Sequence, residues 1–289
     1  MGYNIKRNWY SSFMLMVKSP VVFLPFIMIA FFEALAAEFI YFSARKPISI
    51  LAGPVIRKFF GEMALHYPGN LMILPRIFYY AQIALYIFLG VFLTAISVNI
   101  FNNIKTGLPI KVNAMMKNAF KHYLSFMIYG IIIAALITVL RRVDIPIYTK
   151  ATRLALKVVP KISPQIGYLG LTLFLFLTNI VMQALMILTV PLMVIEKKAL
   201  FKSLFNSIYI GVKNFLTIFT LIFLPFVAYL PVTLLKGVSV PLADKTFPEM
   251  NLLVTFVSII ASIFIDSFII ISVSQFLLDR AKRIEAKPL

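Results

Sequence analysis

Two carboxylates sit where a carboxylate is expensive. Glu33 lies inside the apolar run IMIAFFEALAAEFI, and Asp266 inside IIASIFIDSFIIIS. A charged side chain at the centre of a bilayer costs roughly 2.5–3.5 kcal/mol on insertion scales. Residues of that kind therefore need a reason. At helical spacing Ala30, Ala34 and Ala37 share the face of Glu33, and small residues mark close helix packing. Thr255, Ser258 and Ser262 form a stripe that ends on Asp266, while Asn179 and Gln183 stand one helical turn apart in LTNIVMQAL. Glu33, Asn179, Gln183 and Asp266 are thus the candidate polar site. The sequence leaves two readings open. They are hydrogen-bonded glue between helices, or they line a path for a solute, an ion or a proton.

Other chemistry finds little support. His66 and His122 are the two histidines, and neither has a second ligand at metal spacing. No catalytic residues and no metal site are assigned. There is no cysteine, which excludes disulfides, thiol nucleophiles and thiolate metal sites. No serine has a candidate base near it, and no phosphate-cradling glycine motif occurs. The chain is expected to be no enzyme and to need no cofactor.

The elements that must hold these residues follow from composition. Of the 289 residues 61% are hydrophobic and the mean hydropathy is +0.95. An ordinary soluble domain is about 45–50% apolar. Several apolar runs exceed the ~18 residues that argue a membrane span. The expected fold is all-α: a polytopic membrane helix bundle in one transmembrane domain over 1–289. Spans are predicted at about 20–43, 77–101, 122–140, 166–195, 214–235 and 250–278. Pro225 and Pro231 are expected to kink the fifth, and Pro68-Gly69-Asn70 reads as a turn. Outside the spans, 54–67 and 146–158 read as amphipathic.

Three further amphipathic segments each lead into a span, at about 3–17, 109–120 and 198–211. In the last, Leu200, Phe201, Leu204, Phe205 and Ile208 recur on one side, with Lys197, Lys198, Lys202, Ser203 and Asn206 largely on the other. In the first, Ile5, Trp9, Phe13 and Met16 share a face, and Trp9 suits the headgroup region. Such elbow helices lie in the interface, apolar face down and lysines at the headgroups. The net charge is +18, and the basic residues sit mainly between apolar runs. Anionic headgroups are the expected partners of Lys111, Lys117, Lys121, Lys197, Lys198, Lys202 and Lys213. Nucleic acid is not, since no basic aromatic-interleaved soluble module is present. A protein partner or a second copy stays open.

The junctions KSPVVF, KHYLSF and KNFLTI begin at Lys18, Lys121 and Lys213, 103 and 92 residues apart. The order reads as three copies of one unit: elbow, outgoing helix, loop, returning helix. Any six-span protein with interfacial helices gives a similar pattern, so repeat and coincidence both stand. The elbows place both termini in the cytoplasm and the chain in the cytoplasmic membrane, with weak help from the positive-inside rule.

The stretch PLMVIEKKALFKSLFNSIYIGVKNFLTIF resembles the membrane domain attached to some bacterial glycerophosphodiester phosphodiesterases, and related stand-alone membrane proteins. The positions that carry it are Pro191, Glu196, Ala199, Ser203, Asn214 and Phe215. The resemblance spans about 30 residues and implies a six-span bundle. The hydrolase of those fusions is a separate soluble barrel that this chain does not contain, so its activity is not carried over. The favoured function is a non-enzymatic integral membrane protein serving the envelope, lipid or a scaffolded partner. The alternative is a small-solute, ion or lipid transporter or channel using the four polar residues. Convergence of the four on a water-accessible cavity favours the alternative.

Overall fold

The computed structural model describes residues 4–43, 45–158, 164–243 and 247–285. Among them there are helices and turns and no strand. Helix α1 (Ile5–Lys18) is capped by the Asn4 side chain, which accepts from the Arg7 N–H. A 3-10 turn (Pro20–Phe23) leads into α2 (Leu24–Phe42). On the opposite side lie α3 (Ile48–Phe60) and a second 3-10 turn (Glu62–Leu65). The amphipathic segment expected at 54–67 therefore starts earlier and stops at Gly61, whose φ of 84° suits a residue without a Cβ.

Next come α4 (Gly69–Leu85), a π turn (Tyr86–Gly90) and α5 (Val91–Thr106), which together make one long span. The remaining helices are α6 (Val112–Lys121), α7 (Tyr123–Val158), α8 (Pro164–Met186), α9 (Thr189–Ile195), α10 (Leu200–Lys213), α11 (Phe215–Ala243) and α12 (Met250–Glu285). Six stretches are long and apolar enough to cross a membrane: Pro20–Phe42, Gly69–Thr106, Tyr123–Leu140, Leu173–Ile195, Phe215–Lys236 and Met250–Lys282. The chain is an all-α, multi-pass membrane protein.

Several boundaries differ from the expectations, each for a local reason. The second span opens at Gly69, because Pro68-Gly69-Asn70 begins a helix rather than closing a turn. Pro75 then sits inside that helix. It has no N–H for the Leu71 carbonyl, and the Asn251 side-chain amide donates to that carbonyl instead, at 3.1 Å. The third span ends at Leu140 as expected, but its helix does not: α7 continues through Pro146 to Val158. The side chains from 151 onward, on which the amphipathic reading of 146–158 relied, lie outside the described residues. So do Asp244 and Lys245. The fourth span is broken at Ile187–Leu188, where Pro191 supplies no N–H for the Ile187 carbonyl. Helix α11 runs unbroken through Pro225 and Pro231.

The spans form a ring in chain order. Helix α2 packs on α4 and α5, the π turn and α5 on α7, α7 on α8, α8 on α11, α11 on α12, and α12 back on α2. The returning helices α5, α9 and α12 also touch one another at the centre. The elbows repeat this pattern. Helix α6 packs on α5 and α10 on α8 and α9, each on the returning helix before it, while α1 packs on α12 and so closes the circle. In all three elbows the residues two and six before the closing lysine are buried: Met16 and Ser12, Ala119 and Met115, Gly211 and Ser207. The residue just before that lysine points outward: Val17, Phe120, Val212.

The elbow faces need a correction. The side expected to carry polar groups to the headgroups is partly the side that meets protein. In α10, Ser203, Ser207 and Gly211 are buried, while Phe201, Phe205, Tyr209 and Val212 face out. A Cβ on Gly211 would come within 3.0 Å of the Ala184 carbonyl oxygen and the Leu185 Cα, so glycine sets this close approach. In α1, Asn8 and Ser12 are buried and Phe13 faces out; Trp9 packs against the α8, α11 and α12 cluster instead of standing among headgroups. The lysines behave more as expected. Lys111, Lys117, Lys121, Lys197, Lys202 and Lys213 are exposed, whereas Lys198 is half-buried and paired with Glu196.

Candidate functional site

The four polar residues singled out by spacing converge. Glu33 from α2, Asn179 and Gln183 from α8 and Asp266 from α12 line one cavity of about 280 Å³. Glu33, Gln183 and Asp266 stand about halfway along their spans, and Asn179 one turn before Gln183. Tyr86, Gly90 and Thr94 from the second span, Tyr129 from α7, and Ser262 one turn before Asp266 complete the polar part of the wall. The rest is apolar, with Phe26, Ile133, Met182, Val190 and Ile269 among it.

Local sequence explains how each side chain gets there. Ala30 and Ala37, on the face of Glu33, are buried against α4 and α12, which turns Glu33 inward. Its carboxylate accepts a hydrogen bond from the Gln82 amide at 3.1 Å. Lys236, at the end of the fifth span, lies within electrostatic reach of Glu33. Asp266 is different. It makes no hydrogen bond or ion pair among the described residues, yet sits close enough to Glu33 for the two carboxylates to interact. It lies deep among the helices and still has open surface, because that surface is the cavity.

Backbone irregularities gather at the same place. The π turn Tyr86–Gly90 supplies two of the lining residues, and π turns inside helices occur often at functional sites. Gly130 of α7 lets that helix approach the turn: a Cβ there would lie 2.9 Å from the Ile87 Cα. The break between α8 and α9 borders the cavity through Met186, Ile187 and Val190. Irregular backbone at membrane depth needs its carbonyls satisfied. Here the Tyr129 hydroxyl donates to the Met186 carbonyl at 2.9 Å, and the Ser207 hydroxyl of the third elbow donates to that of Leu185 at 2.8 Å.

The rest of the predicted stripe does not reach the cavity. Thr255 and Ser258 are buried, with the Thr255 hydroxyl donating to the Asn251 carbonyl. Sequence reading missed Gln82, Tyr86, Tyr129 and Lys236. A signal existed for the first two, which stand at i and i+4 within an apolar run. Lys236 ends a span and so reads as an interfacial charge. Far from the cavity, the Tyr67 hydroxyl donates to the Glu249 carboxylate at 2.8 Å. That bond, at the mouth of the second and sixth spans, holds the Tyr67 phenol above its ordinary pKa. His66 is exposed and lies 3.8 Å from Glu62. No group of three or more His, Asp or Glu side chains is placed to hold a metal among the described residues.

No protein-family model, no curated protein and no solved structure matches the chain.

Proposed function

We propose that the chain is a membrane transporter for a small polar solute and that the mid-membrane cavity is its binding site. One observation carries this reading: Glu33, Asn179, Gln183 and Asp266, from three separate helices, meet on one cavity. Glue would bury them in mutual contacts, and among the described residues only Glu33 has such a partner, Gln82. Intramembrane ionisable groups that face a cavity are the usual mark of a solute or ion path. A broken helix beside a midplane site is a further trait of transporter folds. The reading is non-enzymatic.

Solute-driven swelling tests the proposal without knowing the solute. Reconstituted vesicles are mixed with small cations, anions and polyols, and reswelling is followed by light scattering. One class should enter faster than into protein-free vesicles, and Asp266→Asn should return the rate to the protein-free value with an unchanged melt. No acceleration for any class, or an Asp266→Asn variant that behaves as wild type, contradicts the proposal.

The elbows support a second, compatible role in lipid contact. Phe201, Phe205 and Tyr209 face outward beside exposed Lys202 and Lys213. Each basic residue near an anionic surface contributes about 1 kcal/mol. We place these contacts at the cytoplasmic leaflet of the cell membrane.

A further inference from the structure

We propose that the cavity takes a small organic ammonium ion, an inference that rests on its reading as a solute site. The hydrogen-bond inventory of the wall carries it. Thr94 donates to the Gly90 carbonyl at 2.8 Å, and Ser262 to that of Ile259 at 2.8 Å. Tyr129 donates to the Met186 carbonyl at 2.9 Å, and the Asn179 amide donates to that of Leu175 at 2.8 Å. Each of these side chains spends a proton on the backbone behind it. The hydroxyls keep an oxygen acceptor for the cavity, and the Asn179 amide keeps its oxygen and one N–H.

Two carboxylates add acceptors that carry charge, and no lysine, arginine or histidine lines the cavity among the described residues. Glu33 already has the Gln82 amide and the nearby Lys236. Asp266 has no such partner. Gln183 and Tyr86 still offer donors, yet a lining whose charged groups among the described residues are carboxylates rejects anions by like charge. It accepts a ligand that brings N–H donors and a positive charge, since charge-assisted hydrogen bonds are the stronger kind.

The remaining wall decides between an organic and a metal cation. A metal ion wants a close cage of oxygens. This cavity instead offers about 280 Å³, with Phe26, Met182 and Ile269 on its sides. The ammonium head then sits at Asp266 and its hydrocarbon lies on the apolar wall. Tyr86, beside Asp266 in the lining, offers an aromatic ring to the same charge.

The test uses the full chain in nanodiscs of neutral phosphatidylcholine, and three probes with one carbon skeleton: n-propylammonium, 1-propanol and propionate. Propylammonium should raise the melting temperature saturably, and the other two should not. Asp266→Asn should weaken the propylammonium response at least tenfold, while Asp266→Glu retains it. Equal stabilisation by propanol or propionate overturns the charge assignment. The same saturable shift with sodium or potassium chloride overturns the organic one. No shift with any probe overturns the inference as a whole, while the swelling assay still reports separately on solute passage. The comparison among probes on the wild-type chain stands even if a variant fails to fold.

Discussion

At the scale of single residues, the weight falls on which polar group has a partner. Glu33 accepts from Gln82, so the two form a unit. Glu33→Gln keeps an acceptor in place and should change stability by less than about 1 kcal/mol. Glu33→Leu leaves the Gln82 amide without its acceptor inside an apolar bundle, at a cost of about 1–3 kcal/mol. Thermal melts of both variants in one detergent check the difference. A leucine variant as stable as the glutamine variant would mean that the pair contributes nothing. Spacing made Glu33, Asn179, Gln183 and Asp266 legible, because a polar side chain in an apolar run stands out whatever the fold. Spacing could not reveal which of them already had a partner. Gln82 comes from a helix 49 residues away in sequence, and nothing in the chain near Glu33 announces it.

At the scale of elements, two prolines show how far local rules carry. Pro75 removes a donor, and Asn251, 180 residues from Leu71, supplies one. Asn251→Leu should therefore destabilise the protein by about 1–3 kcal/mol through the bare Leu71 carbonyl. Pro75→Ala restores a backbone N–H at that position, so the loss should be smaller in the double variant. A double-mutant cycle measures this coupling, and additive losses would rule the compensation out. Pro191 acts likewise at the break before α9, and its position was visible in the sequence. The break itself was not, because it also depends on Tyr129 and Ser207 arriving from other helices. The elbows were legible as amphipathic helices and misread as two-sided. Each has a third face of small or polar residues, seen in Ser203, Ser207 and Gly211, that meets the bundle. Gly211→Val should loosen α10 from α8, because its Cβ alone would approach the Leu185 Cα to 3.0 Å. A loss of about 1–3 kcal/mol is expected from overpacking, and faster hydrogen exchange confined to α10 should accompany it.

At the scale of the whole molecule, three elbow-and-hairpin units in chain order close into a ring. The junction lysines left repeat and coincidence both open. The packing of each elbow on the returning helix before it is what the sequence could not specify, since it is a relation between units. Helix α1 makes the closure, with the Asn8 amide donating to the Ser272 carbonyl at 3.0 Å. The three returning helices meet inside the ring, and the cavity lies among all three of them and the helices of the rim. The central claim is that this cavity holds water in the middle of the membrane. The chain has no cysteine, so a single introduced thiol reports its own surroundings without any background. Thiol reagents in water react with the thiolate, which forms where water reaches. Ser262→Cys places that thiol on the cavity wall, and Ile260→Cys places it on the outward face of the same helix. In reconstituted protein, a water-soluble methanethiosulfonate should label Ser262→Cys at least tenfold faster than Ile260→Cys. Labelling of Ser262→Cys as slow as that of Ile260→Cys would contradict the account.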